Sequence, residues 1–138
     1  MKNIFIQGAI PATLVTDQIQ RHSHMQQIGA HSIFLGQVRR DEGVTAIEYT
    51  AYEAMALEQM HQIREDIITN YGLSCMHVYH SPGVVKTGEL CLFVFTSAPR
   101  RKAAIAACEE AVEQIKAKLP IWGKELMEDD ASQWKQNT

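Results

Sequence analysis

The stretch Lys116-Ala117-Lys118-Leu119-Pro120-Ile121-Trp122-Gly123-Lys124-Glu125 decides how this chain is arranged. An amphipathic run enters it, and Pro120 ends that helix, because its ring clashes with the preceding turn and it has no amide hydrogen to donate. A bulky Ile121-Trp122 pair follows, then a second cation at Lys124. A lysine on the last helical turn and another beyond a proline corner can point into one pocket from two directions. Such a pocket can hold an anion and move protons. Alone, the stretch implies an anion site and nothing narrower.

Working back from Pro120, Ile105, Cys108, Val112, Ile115 and Leu119 recur in steps of three and four, which predicts a helix from about Arg101 to Leu119 with one buried seam. A second helix is predicted from Ala54 to Tyr71 on Ala56, Met60, Ile63, Ile67 and Tyr71, with Gly72 as its C-cap. Between these helices, Cys75–His80 and Leu90–Ser97 read as strands, joined through turns at Ser81-Pro82-Gly83 and Lys86-Thr87-Gly88. Ahead of them, Ser32–Val38 and Thr45–Ala51 read as a hairpin around Arg39-Arg40-Asp41-Glu42-Gly43. Ile4–Gln7 reads as a short first strand, and Thr16 as the N-cap of a short helix. Hairpins separated by helices define an α+β fold, a mainly antiparallel sheet covered by helices. The whole chain, 1–138, reads as a single domain with a polar, frayed tail from about residue 129, where Trp134 is the residue able to dock.

Composition narrows the function classes. At 138 residues one domain can bury roughly two thirds of its unfolded surface. A net charge of −3, with no basic run longer than Arg100-Arg101-Lys102, gives no support for general nucleic-acid binding. The N-terminus lacks the apolar run of a signal peptide, and no segment approaches a membrane span. Three cysteines without a CxxC pair argue against a disulfide framework, so a reduced, cytoplasmic protein is expected.

Each candidate residue has a plain reading beside the functional one. Lys116 borders the seam, close to Ile105 and Val112 on the helical wheel. It is either a snorkelling lysine paired with Glu113 or a partly desolvated ammonium tuned for proton transfer. Arg100, Arg101 and Lys102 sit at a helix N-terminus, where the dipole prefers anions, which hints at a bound phosphate or carboxylate. Arg39 and Arg40 end a strand in the same manner; a solvated basic turn is the plain alternative. His22 with His24, and His77 with His80, suggest no third ligand by spacing, and His77 and His80 must face opposite sides of their strand. No metal site is expected. Cys91 and Cys108 read as core, and Cys75 has no neighbouring cation in sequence to activate it.

Four stretches together resemble the MoaE family, the large catalytic subunit of molybdopterin synthase. They are Phe34-Leu35-Gly36-Gln37-Val38-Arg39 with Gly43 downstream; Glu48-Tyr49-Thr50-Ala51-Tyr52-Glu53-Ala54-Met55-Ala56; His80-Ser81-Pro82-Gly83-Val84-Val85-Lys86-Thr87-Gly88-Glu89 through Ser97-Ala98-Pro99-Arg100; and Lys116 to Glu125. They match in order and spacing from about Ser32 to Trp134. The resemblance implies an α/β-hammerhead fold and a homodimer within a heterotetramer. Its partner is a small ubiquitin-like (MoaD-like) subunit whose C-terminal Gly-Gly carries a thiocarboxylate. It implies a sulfurtransferase without a cofactor of its own: two sulfurs pass stepwise to cyclic pyranopterin monophosphate (precursor Z), forming the dithiolene of molybdopterin.

By the same resemblance, Lys116 is the essential helix lysine, serving proton transfer and the acyl intermediate. Arg39 and Arg100 line the anion pocket, Val38 belongs to its wall, and Gln37 occupies a more variable place there. Glu125 closes the last motif and orients a neighbouring cation. Two departures stand out. Gly123 replaces the first of two cations that usually follow the tryptophan, so Lys124 is expected to swing into the vacant place. Pro99 replaces the usual histidine before Arg100. Two rival readings follow: a non-catalytic module that docks the ubiquitin-like partner, and a self-contained persulfide sulfurtransferase using Cys75.

Overall fold

The computed structural model describes residues 3–128 and the backbone of 132–136. The elements run α1 (Ala12–Arg21), β1 (Ala30–Gln37), β2 (Val44–Ala51), α2 (Glu53–Tyr71), β3 (Cys75–His80), β4 (Gly83–Lys86), β5 (Leu90–Ala98), α3 (Arg101–Lys118), β6 (Ile121–Met127) and β7 (Ser132–Gln136). They build two sheets, one in the order β1-β5-β3 and one in the order β4-β2-β6-β7, with every ladder antiparallel. The α+β reading holds, with two sheets in place of one.

β5 is the centre of the first sheet and is buried from Cys91 to Ala98. One face carries α3 across β1 and β5, with α2 packed beside α3 and touching β3. Ala104, Ala107 and Ala111 face inward there, and their small side chains bring α3 close enough for the Thr96 hydroxyl to donate to the Ala104 carbonyl at 2.7 Å. This close approach displaces the expected seam: Ile105 is 57 % exposed, and Cys108, Val112, Ile115 and Leu119 bury beside the alanines. On the other face, α1 covers Tyr79, Phe93 and Phe95 with Leu14 and Val15.

Several expectations are corrected. The segment Ser32–Val38 and the segment Thr45–Ala51 do not form a hairpin: β1 pairs with β5, whereas β2 pairs with β4 and β6. Val38 is fastened by its amide to the Glu89 carbonyl and by its carbonyl to the Gly88 amide, so the chain after β1 is led across to the second sheet. Val84-Val85, between the two expected turns, lie in β4, which also takes in Gly83 and Lys86 from those turns. The residues after Pro120 form β6, antiparallel to β2, so the proline corner converts helix directly into strand. The polar tail contributes β7, paired with β6; side-chain docking of Trp134 lies outside the described residues.

Ile4–Gln7 makes one parallel bridge, Phe5 to His80, and is no strand; Gly8, at φ +74°, turns the chain toward α1. α1 starts at Ala12 behind Pro11, whose φ of −73° already suits a helix start, so Thr16 is mid-helix and caps nothing. α2 behaves as its periodicity predicts, burying Ala56, Met60, Ile63 and Ile67 and ending at Gly72 in the left-handed conformation.

Candidate functional site

α3 delivers Lys116 on its last turn, half-buried, one residue after the fully buried Ile115. The ammonium acts on His80, which closes β3 and is 1 % exposed. The His80 Nδ1–H donates to the Ser81 carbonyl at 2.9 Å. Burial pushes the His80 pKa down to about 4; the Ser81 carbonyl opposes this, and the Lys116 charge adds to it. His80 is therefore a neutral imidazole at ordinary pH. Tyr49 from β2 meets it edge-on, ring centroids 5.2 Å apart. Burial, with the charge and hydrogen bond of Cys91 behind it, raises the Tyr49 hydroxyl above the usual phenol range, so it stays protonated. Ser81 Oγ, fully buried beside His80, has no hydrogen-bond partner among the described residues. One cation and three neutral hydrogen-bonding groups thus sit where α3, β2 and β3 meet.

Gly123 lies directly opposite Tyr49 in the β2–β6 ladder. A Cβ there would stand 2.8 Å from Ile47 Cγ2 and 3.3 Å from Tyr49 Cε1, so the Tyr49 ring and Ile47 occupy the space where a side chain at 123 would begin. Glu125, opposite Ile47, is on the same inward face and 8 % exposed. Strand alternation turns Lys124 to the other face, opposite Glu48, where it is half-buried. The ladder therefore turns Lys124 to the face opposite that of Gly123, and the space beside Gly123 is filled by Tyr49 and Ile47.

The remaining candidates fall in two other places. Gln37, exposed, and Val38, buried, leave β1 at a register shift. Arg39 is turned outward, its side chain 79 % exposed and its Nε donating to Asp41 at 2.8 Å. That bond, and the Asp41 charge, raise its pKa further. Arg40 pairs with Glu128. Arg100 is the residue before the first turn of α3, which holds no acidic side chain. It lines an open groove of about 850 Å³ with Gly29, Pro99, Arg101, Lys102, Ile105 and Glu109. Sixteen residues of helix at 1.5 Å each put Arg100 roughly 24 Å from Lys116. One copy of the chain does not bring them together.

Tyr49 and His80 carry no assigned role in the sequence reading, although both lie inside the quoted motifs. The signal available was a glycine at 123 where a cation was expected: a glycine in a strand interior needs an aromatic neighbour to fill its place. The expectation on histidines also changes. His22, Cys75 and His77 bring their ligand atoms within 4.8 Å of one another, so β3 itself supplies the third ligand that spacing among histidines did not show.

This fold, two antiparallel sheets joined by three helices, is shared by solved proteins. A crystal structure of molybdopterin synthase from Staphylococcus aureus superposes with a TM-score of 0.85 at 31 % identity over 98 % of both chains. A complex of subunits 1 and 2 of molybdopterin-converting factor from Helicobacter pylori gives 0.84 at 23 % identity, over 96 % of this chain and 88 % of that one, a likeness of fold. In sequence, the chain is 36 % identical over 122 residues to the molybdopterin synthase catalytic subunit of Bacillus subtilis, covering 86 % of this chain and 77 % of the relative. It is 43 % identical over 114 residues to that of Drosophila willistoni, covering 79 % of this chain and 31 % of the relative. The chain spans about a third of the length of the Drosophila relatives it matches. The family described as MoaE protein matches residues 10–118. The chain belongs to the MoaE family.

Proposed function

We propose that the chain is the catalytic subunit of a molybdopterin synthase, a sulfurtransferase that uses Lys116 at the junction of α3, β2 and β3. The observation that carries this reading is the half-buried Lys116 acting on a buried, neutral His80 beside Tyr49. A neutral imidazole and an un-ionised phenol keep the lysine as the sole positive charge of that cluster, suited to an anionic thiocarboxylate. The donor is the C-terminal thiocarboxylate of a small ubiquitin-like subunit, and the acceptor is cyclic pyranopterin monophosphate. The thiocarboxylate sulfur bonds to a side-chain carbon of the pterin as that carbon's bond to oxygen breaks, the oxygen leaving as water or staying on the phosphate. Water then attacks the acyl carbon. The acyl C–S bond breaks, the partner leaves as a carboxylic acid, and the pterin keeps a thiol. Lys116 holds the acyl oxygen and shuttles the proton. A second transfer completes the dithiolene.

On this reading the protein works as a homodimer within a heterotetramer, in the reducing cytoplasm, and the free thiols of Cys75, Cys91 and Cys108 suit that compartment. Gln37, Val38 and Arg39 form the entrance, with Arg39 exchanging Asp41 for the substrate phosphate. Glu125 supports the inward face. Arg100 serves the Lys116 site of the second copy. Lys124 helps to bind an anion from the outer face.

The test is single-turnover conversion of cyclic pyranopterin monophosphate by the protein with its thiocarboxylated partner. Lys116→Ala is expected to lose at least about 100-fold in rate, the range of a lost proton-transfer group, while still binding the partner. Lys124→Ala should lose less than about 10-fold. Mixing Lys116→Ala with Arg100→Ala chains should restore part of the activity that neither variant has alone. Unchanged turnover in Lys116→Ala would defeat the assignment. Partner binding without product in the unaltered protein would instead identify a docking module, the reading that Gly123 favours.

A further inference from the structure

Under α1, on the far side of the first sheet from Lys116, three side chains from two elements bring their donor atoms within 4.8 Å of one another. His22 is the C-cap residue of α1 and is buried. Its Nδ1 lies 2.6 Å from the Gln18 carbonyl oxygen, which can only accept, so Nδ1 carries the proton and Nε2 keeps a lone pair. That Nε2 is 3.1 Å from Nε2 of His77. Cys75, two residues before His77 and on the same face of β3, completes a set whose ligand atoms all lie within 4.8 Å of one another. Two nitrogens bound to a tetrahedral zinc at about 2.0–2.1 Å stand roughly 3.3 Å apart, close to the spacing already present.

The surroundings fit a thiolate–imidazole metal centre. Ser97 pairs with Cys75 on one side and with His31 on the other, forming one row across the sheet. Ser97 Oγ is 2.6 Å from His31 Nδ1 and also bonds the Cys75 sulfur. With His31 Nδ1–H donating to Ser97, the serine proton is directed at sulfur, the outer hydrogen bond a metal thiolate uses. Burial raises the pKa of the Cys75 thiol above its ordinary value, and the Ser97 hydrogen bond and the Arg64 charge pull against it, so the metal itself must displace the proton. The His22 ring is fixed by Phe95, centroids 5.1 Å apart, and α1 is docked by Gln18 Nε2 donating to the Tyr79 hydroxyl at 2.6 Å. Cys75 and His77 are only half-buried, which leaves an entry path and room for a fourth, water ligand.

We propose that His22, Cys75 and His77 form a site for a divalent, thiophilic metal ion, zinc first, that fastens α1 to β3. Two imidazoles and one thiolate select zinc over magnesium or calcium, which take oxygen ligands. Binding displaces the thiol proton of Cys75 to solvent and moves the His77 ring proton from Nε2 to Nδ1, with no redox change. Cys75 is thereby a ligand and not a persulfide carrier.

The experiment titrates chelator-treated full-length protein with Co²⁺ and then competes it with Zn²⁺. One equivalent per chain, a thiolate-to-cobalt charge-transfer band in the near ultraviolet, and zinc affinity of about 1 μM or tighter are expected. Cys75→Ser should abolish the band and weaken zinc at least about 10-fold, and Ser97→Ala, a positioning change, should weaken it about 10-fold with the band kept. Zinc should raise the melting temperature of the unaltered protein by a few degrees and that of Cys75→Ser by less. The absence of the band in protein that circular dichroism shows to be folded would overturn the site. So would equal zinc affinity in Cys75→Ser, because the metal would then sit elsewhere, or zinc binding weaker than about 100 μM, which leaves a plain His77-to-His22 hydrogen bond.

Discussion

His77 and His80 stand three residues apart on β3 and do opposite things. His80 faces the junction of α3 and β2, is fully enclosed, meets Tyr49 edge-on and feels the Lys116 charge, so protonation is suppressed. His77 faces α1, is half-open to solvent, and directs its Nε2 toward His22 with Cys75 alongside. One strand thus presents a neutral imidazole to a cation on one face and an imidazole beside a second imidazole and a thiol on the other. The neighbours from other elements, and not the spacing along the strand, determine which role each ring takes.

The sharpest separation of the two faces is expected from Lys116→Ala, which removes at least about 100-fold of turnover on one side and leaves cobalt binding on the other unchanged. A variant that lost both would mean the two faces are coupled through β3. Next in size is Gly123. The clash there arises at Cβ itself, 2.8 Å from Ile47 and 3.3 Å from Tyr49. Gly123→Ala and Gly123→Lys should therefore destabilise by similar amounts, about 1–3 kcal/mol, the usual range for overpacking. The readout is a lower urea midpoint at unchanged slope. Neither should raise turnover. A faster Gly123→Lys enzyme would show that Tyr49 and Ile47 yield, and that the lysine face can be rebuilt with a second cation.

The helices and most strands were legible because each carries a local code: the 3.6-residue recurrence in α2 and α3, the stop at Pro120, the αL glycine at 72, and the apolar run of β5. Strand pairing was not legible. β1 and β2 are consecutive and look like a hairpin, yet they pair in different sheets, because Val38 is tied to Gly88 and Glu89, fifty residues later. The same long-range pairing decides the site. Lys116 could be placed on its helix from sequence, but the face of Lys124 depended on Ile121–Met127 being a strand opposite β2. Ile105 was misplaced because hydrophobic size was weighed over closeness of approach, and the alanines took the buried positions. The His22–Cys75–His77 cluster joins positions some fifty residues apart, with no pattern in the intervening sequence to announce it.

The smallest effect concerns pH. Folded, His80 stays neutral down to about pH 4, whereas an unfolded chain protonates it near 6.5. Between those values the unfolded state binds more protons, so stability falls as pH drops through that window and is fully retained above it. For one group shifted this far, the loss is under about 1 kcal/mol from pH 7 to pH 6 and about 2 kcal/mol by pH 5. His31, whose pKa burial and then the His22 charge also lower, adds in the same direction. Urea unfolding of His80→Asn and the unaltered protein across pH 5 to 7 isolates the His80 share, with Lys116 present in both as a fixed positive charge. If the two pH slopes coincide, His80 is protonated in the folded protein despite the nearby ammonium. The imidazole beside Lys116 would then be a second cation, and the contrast between the two faces of β3 would rest on His77 alone.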